Sequence, residues 1–204
     1  MKWIGWMVKG AALVVLAGAL IAQAPNEAIM SMAQDVQQNI RRLPNFGVFD
    51  DIGFGIKGST VILRGYASRP TLKQDAGRVT EKVKGVGEVV NQIEVLPLSN
   101  SDDQIRADVY VAIYGHSALS RYNPNRGTPL FRSLTRMTFG ITHDPPPGNH
   151  PIHIIVNRGR VTLEGVVDRA GAKVIAGIQA NSVAGVFSVT NDLVVLSELK
   201  KGSS

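Results

Sequence analysis

Apolar and polar residues alternate along two stretches of the chain that lie 100 positions apart. The alternating apolar positions are Ile52, Phe54, Ile56, Ile152, Ile154 and Val156. An alternation of period two indicates a strand with one buried face. Turn-forming residues follow at 57–60 and 157–160, and a second apolar run returns at 61–67 and 161–167. The pattern therefore predicts one β-hairpin in each half of the chain.

Apolar residues spaced three and four apart predict two helices in each half, one before and one after the hairpin. The stripes of the first half are Met32, Val36, Ile40 and Leu43, then Leu72, Ala76, Val79 and Val83. Those of the second half are Ile105, Val109 and Ile113, then Ala172, Ala176, Ala180 and Val183. Gly85 and Gly185 stand where a left-handed residue is expected to cap the later helix. A final strand is predicted to start at Val86 and Val186.

Two further positions in each half are expected to serve the fold. Gly65 and Gly165 occupy an inward position of the second strand, where a glycine indicates either a helix crossing close to the backbone or a bulge. Asn91 and Asn191 fall on the inward face of the final strand. Because a buried amide without partners is unfavourable, these asparagines are expected to satisfy backbone groups at an irregular point of the strand.

The two halves are copies of one unit. Residues 52–96 align with 152–196 without a gap, and 15 of the 45 aligned positions are identical, where about 3 would be expected by chance. The short turn makes the first strand pair antiparallel, and the following strand–helix–strand step favours a parallel crossover. We therefore predict an α+β fold of two repeated two-layer αββαβ sandwiches, each with a three-stranded mixed sheet and two helices on one face.

The repeat sets the predicted domain organisation. The first module spans 26–97 and the second module spans 102–197, followed by a C-terminal tail at 198–204. The first helices of the two copies align at an offset of 73, whereas the strands align at an offset of 100. The second module therefore carries an insertion of 27 residues, placed at about 117–150. A module of this size buries only a modest core, so the two copies have a reason to pack together.

Composition narrows the classes of function. The chain of 204 residues has a net charge of +6 and no cysteine. The absence of cysteine excludes a disulfide framework, thiolate catalysis and a Cys-ligated metal. The mild positive charge permits attraction to an acidic surface such as anionic lipid, but it is a weak argument for nucleic acid, which is not an expected partner.

The first 24 residues resemble an export signal. Lys2 and Lys9 give a basic start, residues 11–22 are uniformly apolar, and Ala22-Gln23-Ala24 matches a small-x-small cleavage site. The alternative is an uncleaved membrane anchor. Either interpretation predicts a periplasmic or otherwise exported protein.

One motif recurs in both halves: Val-x-Leu-x-Gly, a helix with inward alanines, then Gly-Val-x-x-Val-x-Asn-x-(Ile/Leu)-x-Val. Its positions are Val61, Leu63, Gly65, Gly85, Val86, Val89, Asn91, Ile93 and Val95, and again Val161, Leu163, Gly165, Gly185, Val186, Val189, Asn191, Leu193 and Val195. The pattern resembles the BON domain. The resemblance implies a tandem envelope protein associated with phospholipid binding and with envelope or osmotic stress. It also implies no enzymatic activity, and it brings no catalytic residue or cofactor to carry over.

The insertion at 117–150 departs from this pattern and mixes arginines with aromatic and aliphatic residues. The candidate lipid contacts in it are Arg121, Tyr122, Arg126, Phe131, Arg132 and Arg136. Leu130, Leu134 and Met137 are predicted to share one helical stripe, with two of these arginines near the opposite face. Such a segment can lie on an anionic bilayer. The alternative is a surface loop whose aromatic residues fold back over the module.

Little in the sequence indicates catalysis or metal binding. The four histidines are His116, His143, His150 and His153. Their spacing matches no helical ligand pair, so a metal site is not expected, and the last of them is expected on an outward strand position. Neither a nucleophile elbow nor a phosphate-binding loop occurs. The acidic pairs at 50–51 and 102–103 are expected to be caps or solvated turns.

The sequence thus predicts an exported, non-enzymatic protein of the cell envelope that associates peripherally with anionic phospholipid and supports envelope or osmotic-stress integrity. The alternative is a scaffold module that recognises another envelope protein through its sheet edges, which can accept a partner strand. Binding through arginines would weaken as salt rises, whereas edge pairing would not. The oligomeric state stays open.

Overall fold

The computed structural model describes residues 12–197, with side chains described from residue 27 onwards. The helices and strands are α1 (Ala12–Arg41), β1 (Asp51–Lys57), β2 (Thr60–Ala67), α2 (Pro70–Glu81), β3 (Glu88–Asn91), β4 (Glu94–Val95), α3 (Asn100–Tyr114), α4 (Leu134–Phe139), β5 (Ile152–Asn157), β6 (Arg160–Val167), α5 (Ala170–Asn181), β7 (Ser188–Asn191) and β8 (Val194–Val195). A 3₁₀ helix, Ser117–Tyr122, follows α3. The predicted α+β fold of two repeated units is confirmed.

The first helix is longer than its apolar stripe predicted, since α1 reaches back to Ala12. The predicted export signal at 1–24 therefore falls partly outside the described residues, and the predicted tail at 198–204 falls wholly outside them. Among the described residues, no helix is both long enough and apolar enough to cross a membrane.

Each sheet has a central strand with one antiparallel and one parallel neighbour. β1 pairs antiparallel with β2, and β2 pairs parallel with β3, so that Val61 lies opposite Val89. β5, β6 and β7 repeat this arrangement, with Val161 opposite Val189. β4 and β8 continue beside the far ends of β2 and β6. The final strand of each module is thus broken in two, where the alternation predicted a continuous strand.

Asn91 stands at the end of β3, where the strand breaks. Its Nδ2 donates to the Lys73 carbonyl of α2 at 2.8 Å, and its Oδ1 accepts the backbone N–H of Ile93 at 3.2 Å. A Cβ at Gly77 would lie 3.0 Å from that Nδ2, so the glycine lets the helix approach the asparagine. Asn191 makes the same pair of hydrogen bonds in the second module.

Backbone geometry accounts for the glycine in the second strand of each module. Gly65 has a φ of +110°, and a Cβ there would lie 2.2 Å from the Asp51 carbonyl oxygen. Gly165 has a φ of +120° and the same conflict with Pro151 at 2.1 Å. An L side chain is strained at such a φ. The close approach of a helix, one of the two predicted explanations, occurs instead at Gly77.

Gly85 and Gly185 have the predicted left-handed conformation, with φ values of +93° and +84°, but the prediction that they cap the preceding helices is wrong. α2 ends earlier, at Glu81, and the Val86 N–H then donates to the Val83 carbonyl at 3.2 Å. The second module repeats this turn. The left-handed residue therefore belongs to the turn that leads into β3 or β7.

Each module has its own core, between its two helices and one face of its sheet. The second core is the larger. It takes in Val48 and Phe49 from the first module, and Leu119, Tyr122 and Ile141 from the insertion. The copies therefore share a common frame but are completed by different segments.

Val48 and Phe49 lock the first module into the second. The Val48 carbonyl accepts the backbone N–H of Ile154 at 2.8 Å, which places it on the outer edge of β5. Phe49 is 1 % exposed, and its ring centroid lies 6.5 Å from that of Tyr110. The segment that precedes β1 thus closes the core of the other module.

The linker between the modules is held at both ends. The backbone N–H of Leu96 donates to β2 at 2.9 Å. The Ser99 side chain caps the start of α3. Only Pro97 and Leu98 lie between these two fixed points.

Ionisable groups line the seam where the second sheet meets the first module. His153 and Glu164 are paired across β5 and β6, and the ring of His153 lies 5.6 Å from that of Phe46. The predicted outward position of His153 therefore faces the other module. Burial, with a smaller effect of the carboxylates of Asp51 and Asp192, raises the pKa of Glu164 to about 7. Burial also raises the pKa of Asp51, against the opposing effect of His153.

We expect Phe49→Ala to destabilise the protein by about 3–5 kcal/mol, because it leaves a cavity in the second core. Phe187→Ala is the matched control, since Phe187 is 76 % exposed. The control should change the free energy of unfolding by less than about 1 kcal/mol. Urea unfolding followed by circular dichroism measures both. Small and equal effects would contradict the seating of Phe49 in that core.

We expect the Glu164→Gln variant to lose less stability than the parent protein as pH rises. A carboxyl group with its pKa raised from 4.5 to about 7 holds its proton in the folded state while the unfolded chain ionises. Stability is therefore lost between these two pH values and is highest below them. Thermal unfolding at about pH 5 and pH 8 compares the variant with the parent, which cancels the other titrating groups. Identical pH dependence in both proteins would contradict the assignment.

Candidate membrane-contact surface

The insertion is folded back onto the second module at both of its ends. Leu119 and Tyr122 of the 3₁₀ helix and Ile141 beyond α4 are buried in the second core. This part of the insertion follows the predicted alternative, in which the segment covers the module. Between these anchors, Leu130 still packs against the core, whereas several other side chains of the segment are exposed.

Asp168 fastens the first anchor. Its carboxylate accepts the Tyr122 hydroxyl and pairs with Arg121 at 2.6 Å. The hydrogen bond from Tyr122, followed by the charges of Arg121 and Arg169, lowers the pKa of Asp168. Two of the predicted lipid contacts are therefore occupied with a side chain of the module.

Two arginines fix the other anchor. Arg106 is buried and donates to the Thr142 hydroxyl at 3.2 Å and to the Val156 carbonyl at 2.7 Å, while pairing with Asp103 at 3.3 Å. Arg69 reaches over from the first module and donates to the Thr142 carbonyl. Burial lowers the pKa of Arg106, and the charge of Asp103 opposes that effect.

Arg136 is buried inside the insertion. Its guanidinium donates to the carbonyls of Asp144, Leu130 and Pro145 and forms an ion pair with the Asp144 carboxylate at 3.2 Å. Tyr122 is likewise buried. Both side chains take part in contacts that hold the insertion closed, so neither belongs to its exposed surface. Helical periodicity could not reveal this, since it does not report which backbone carbonyls a side chain will find.

Four large apolar side chains project from the middle of the insertion. Phe131, Leu134, Met137 and Phe139 are 52, 75, 66 and 63 % exposed. We call these four residues the apolar tip. Phe131 was a predicted contact. The apolar stripe indicated Leu134 and Met137, and Phe139 had no periodic signal because α4 ends there.

The apolar tip shares the insertion with two exposed arginines. Arg126 and Arg132 are exposed, and neither forms an ion pair among residues 27–197. Arg126 donates through its Nε to the Ser120 carbonyl at 2.6 Å. The acid of the insertion, Asp144, is already paired with Arg136. An exposed apolar segment that also carries arginines without a carboxylate partner is suited to a membrane surface, which has an apolar interior and anionic headgroups.

The histidines serve the fold around this surface. His150 is buried, with its ring centroid 5.6 Å from that of Tyr110 and 5.0 Å from that of Tyr114. Burial lowers its pKa to about 4, so it is neutral near pH 7. His116 caps the 3₁₀ helix and His143 is exposed. Within the part of the chain that the structure describes, no group of three or more ligating side chains could hold a metal ion.

One aspartate of each acidic pair, Asp50 or Asp102, accepts hydrogen bonds from the backbone of a turn or strand end. Asp50 is buried and accepts the backbone N–H of Ser68 at 2.6 Å, and burial raises its pKa. Asp102 is buried and accepts the N–H groups of Arg158 and Gly159 at 2.8 Å each, which ties α3 to the turn of the second hairpin. These two carboxylates therefore cap turns, which is one of the two roles predicted for the acidic pairs.

Comparison with solved structures finds two of CdsD, a structural protein of the type III secretion system of Chlamydia trachomatis, one of them its C-terminal domain. Both are 12 % identical to this chain and cover 96 % of the CdsD chain and 80 and 83 % of this one. The TM-score is 0.25 in both cases, which is too low to bear on function. No curated protein matches the sequence significantly.

Comparison with family models, in contrast, identifies the family of this chain. The model of the BON domain matches residues 31–97 and 141–197, which together make up more than half of the chain. The second match begins where the insertion returns to the core, so the apolar tip lies outside it. BON domains are known for phospholipid binding, are often periplasmic and are not catalytic. The chain belongs to the BON domain family, of which it carries two copies.

Proposed function

We propose that this protein is an exported, non-enzymatic component of the cell envelope that associates peripherally with anionic phospholipid through the apolar tip. The single observation that carries the proposal is the exposure of four large apolar side chains beside unpaired arginines. Its proposed role is to support the integrity of the envelope, including under osmotic stress. Membership of the BON family supports both the location and the ligand class.

Apolar burial supplies most of the expected binding free energy. Fully burying a side chain such as leucine or phenylalanine is worth about 1.5–3 kcal/mol. The members of the apolar tip are half to three-quarters exposed, so each can contribute on the order of 1 kcal/mol. An arginine near an anionic surface adds about 1 kcal/mol. Four apolar residues and two arginines therefore favour a membrane contact that salt weakens but does not abolish.

Anchoring of the insertion supports the same proposal. Arg136 and Tyr122 are not lipid contacts, but they hold the backbone on either side of the apolar tip. A surface that is already ordered loses little conformational entropy when it binds. The second module thus acts as the platform, and the insertion acts as the contact.

Vesicle flotation tests the proposal with a matched pair of double variants. Leu134→Ser with Met137→Ser removes two members of the apolar tip, and Val174→Ser with Ile178→Ser removes two side chains of α5 that are 58 and 59 % exposed. All variants share residues 1–26, so any contribution of that segment cancels. We expect the first pair to reduce binding to anionic vesicles roughly tenfold or more, and the second to leave it unchanged.

Charge is tested separately. We expect the double variant Arg126→Gln with Arg132→Gln to bind anionic vesicles more weakly and with a smaller salt dependence. The reason is that the other two arginines of the insertion, Arg121 and Arg136, already form ion pairs and contribute little. Equal binding of the tip and control variants, or equal binding of the parent to neutral and anionic vesicles, would contradict the proposal.

A further inference from the structure

The outer edges of the two sheets are built alike. In the central strand of each module, one leucine points its backbone carbonyl toward the parallel side of the sheet. The Leu63 carbonyl accepts the backbone N–H of Gln92 at 2.8 Å, and the Leu163 carbonyl accepts that of Asp192 at 2.9 Å. The residues opposite, Phe54 and Ile154, therefore point their own N–H groups away from the sheet. β1 and β5 each present such an edge.

One of these edges is occupied and the other is open. The Val48 carbonyl accepts the N–H of Ile154 on β5. Among the described residues, no hydrogen bond is formed by the N–H of Phe54 on β1. The difference extends to the side chains. Ile152, Ile154 and Val156 are completely buried, whereas Ile52, Phe54 and Ile56 are only half-buried.

A groove lies beside the open edge. Its volume is about 620 Å³, and both modules form its walls: Ile40, Phe46, Ile52 and Phe54 from the first, and Pro151, His153 and Val166 from the second. Ile40 of α1 corresponds to Ile113 of α3, which packs in the same core as Phe49. On its first-module side, the groove thus adjoins a helix residue whose counterpart belongs to the core that holds Phe49.

The edge itself lacks the usual protection against strand pairing. Exposed edges are commonly blocked by charged side chains, proline or a bulge. At Gly53 and Gly55 the backbone of β1 carries no side chain, and a Cβ at either position would meet nothing within 4 Å. The charged residues of this strand, Asp51 and Lys57, stand at its two ends.

We infer that the β1 edge and its groove bind an extended segment of a partner protein, which pairs with the free N–H of Phe54 and places an aromatic side chain in the groove. The chain itself shows the chemistry of the occupant, because Val48 and Phe49 fill the equivalent position on β5. The partner segment therefore carries an aliphatic residue followed by an aromatic one. Backbone pairing gives affinity in this mode, and the groove selects the aromatic residue.

A synthetic peptide with the sequence of residues 45–51 is the probe, titrated into the full-length chain. We expect saturable binding that slows hydrogen exchange at the Phe54 amide. Replacing the peptide phenylalanine that corresponds to Phe49 by alanine should weaken binding about tenfold. Phe54→Pro in the protein removes the free edge donor without breaking a bond to β2, and it should weaken binding at least about tenfold. Phe187→Ala, at an exposed phenylalanine of the second module, is the control and should bind as the parent does.

Several results would overturn the inference. Absence of saturable binding is one, and equal binding by the Phe54→Pro variant is another. Slowed exchange at Ile154 and not at Phe54 would mean that the peptide displaces the chain's own segment instead. If Phe54→Pro fails to fold, the exchange measurement on the unaltered chain decides alone. Self-association of the parent through β1, seen by sedimentation, would assign the edge to a second copy.

Discussion

The structure depends on a contact that neither module could make alone: the seating of Val48 and Phe49 in the second core. The Val48 carbonyl satisfies the outer edge of β5, and Phe49 fills the space beneath it. A small sandwich buries too little apolar surface for much stability. Here the second sandwich gains both a strand-edge partner and an aromatic side chain from its neighbour, so duplication has produced a composite fold.

The two copies have diverged mainly in what surrounds a conserved frame. Gly65 and Gly85 recur as Gly165 and Gly185 with similar positive φ, and the asparagine at the strand break recurs as well. The insertion and the segment around Phe49 complete only the second module, where the inward residues of the first strand are completely buried. The first module keeps an open strand edge, beside a groove that it shares with the second module. The copies therefore offer different surfaces on equal scaffolds.

The alternation of apolar residues and the repeat were enough to predict the fold, because strand and helix faces are properties of local sequence. The same periodicity did not predict the burial of Arg136, whose partners are backbone carbonyls of a loop. Nor did it predict Phe49, which follows a proline and a turn and belongs to no periodic stripe. Contacts of this kind depend on where distant segments meet, which no local pattern encodes.

The short linker has a geometric consequence. With only Pro97 and Leu98 between two fixed ends, and with Arg69 reaching the base of the insertion, the modules have no hinge. The linker and this contact hold the two modules in one relative orientation. A peptide strand bound at the β1 edge of the first module would therefore stay at a constant distance and angle from the surface that the second module contacts.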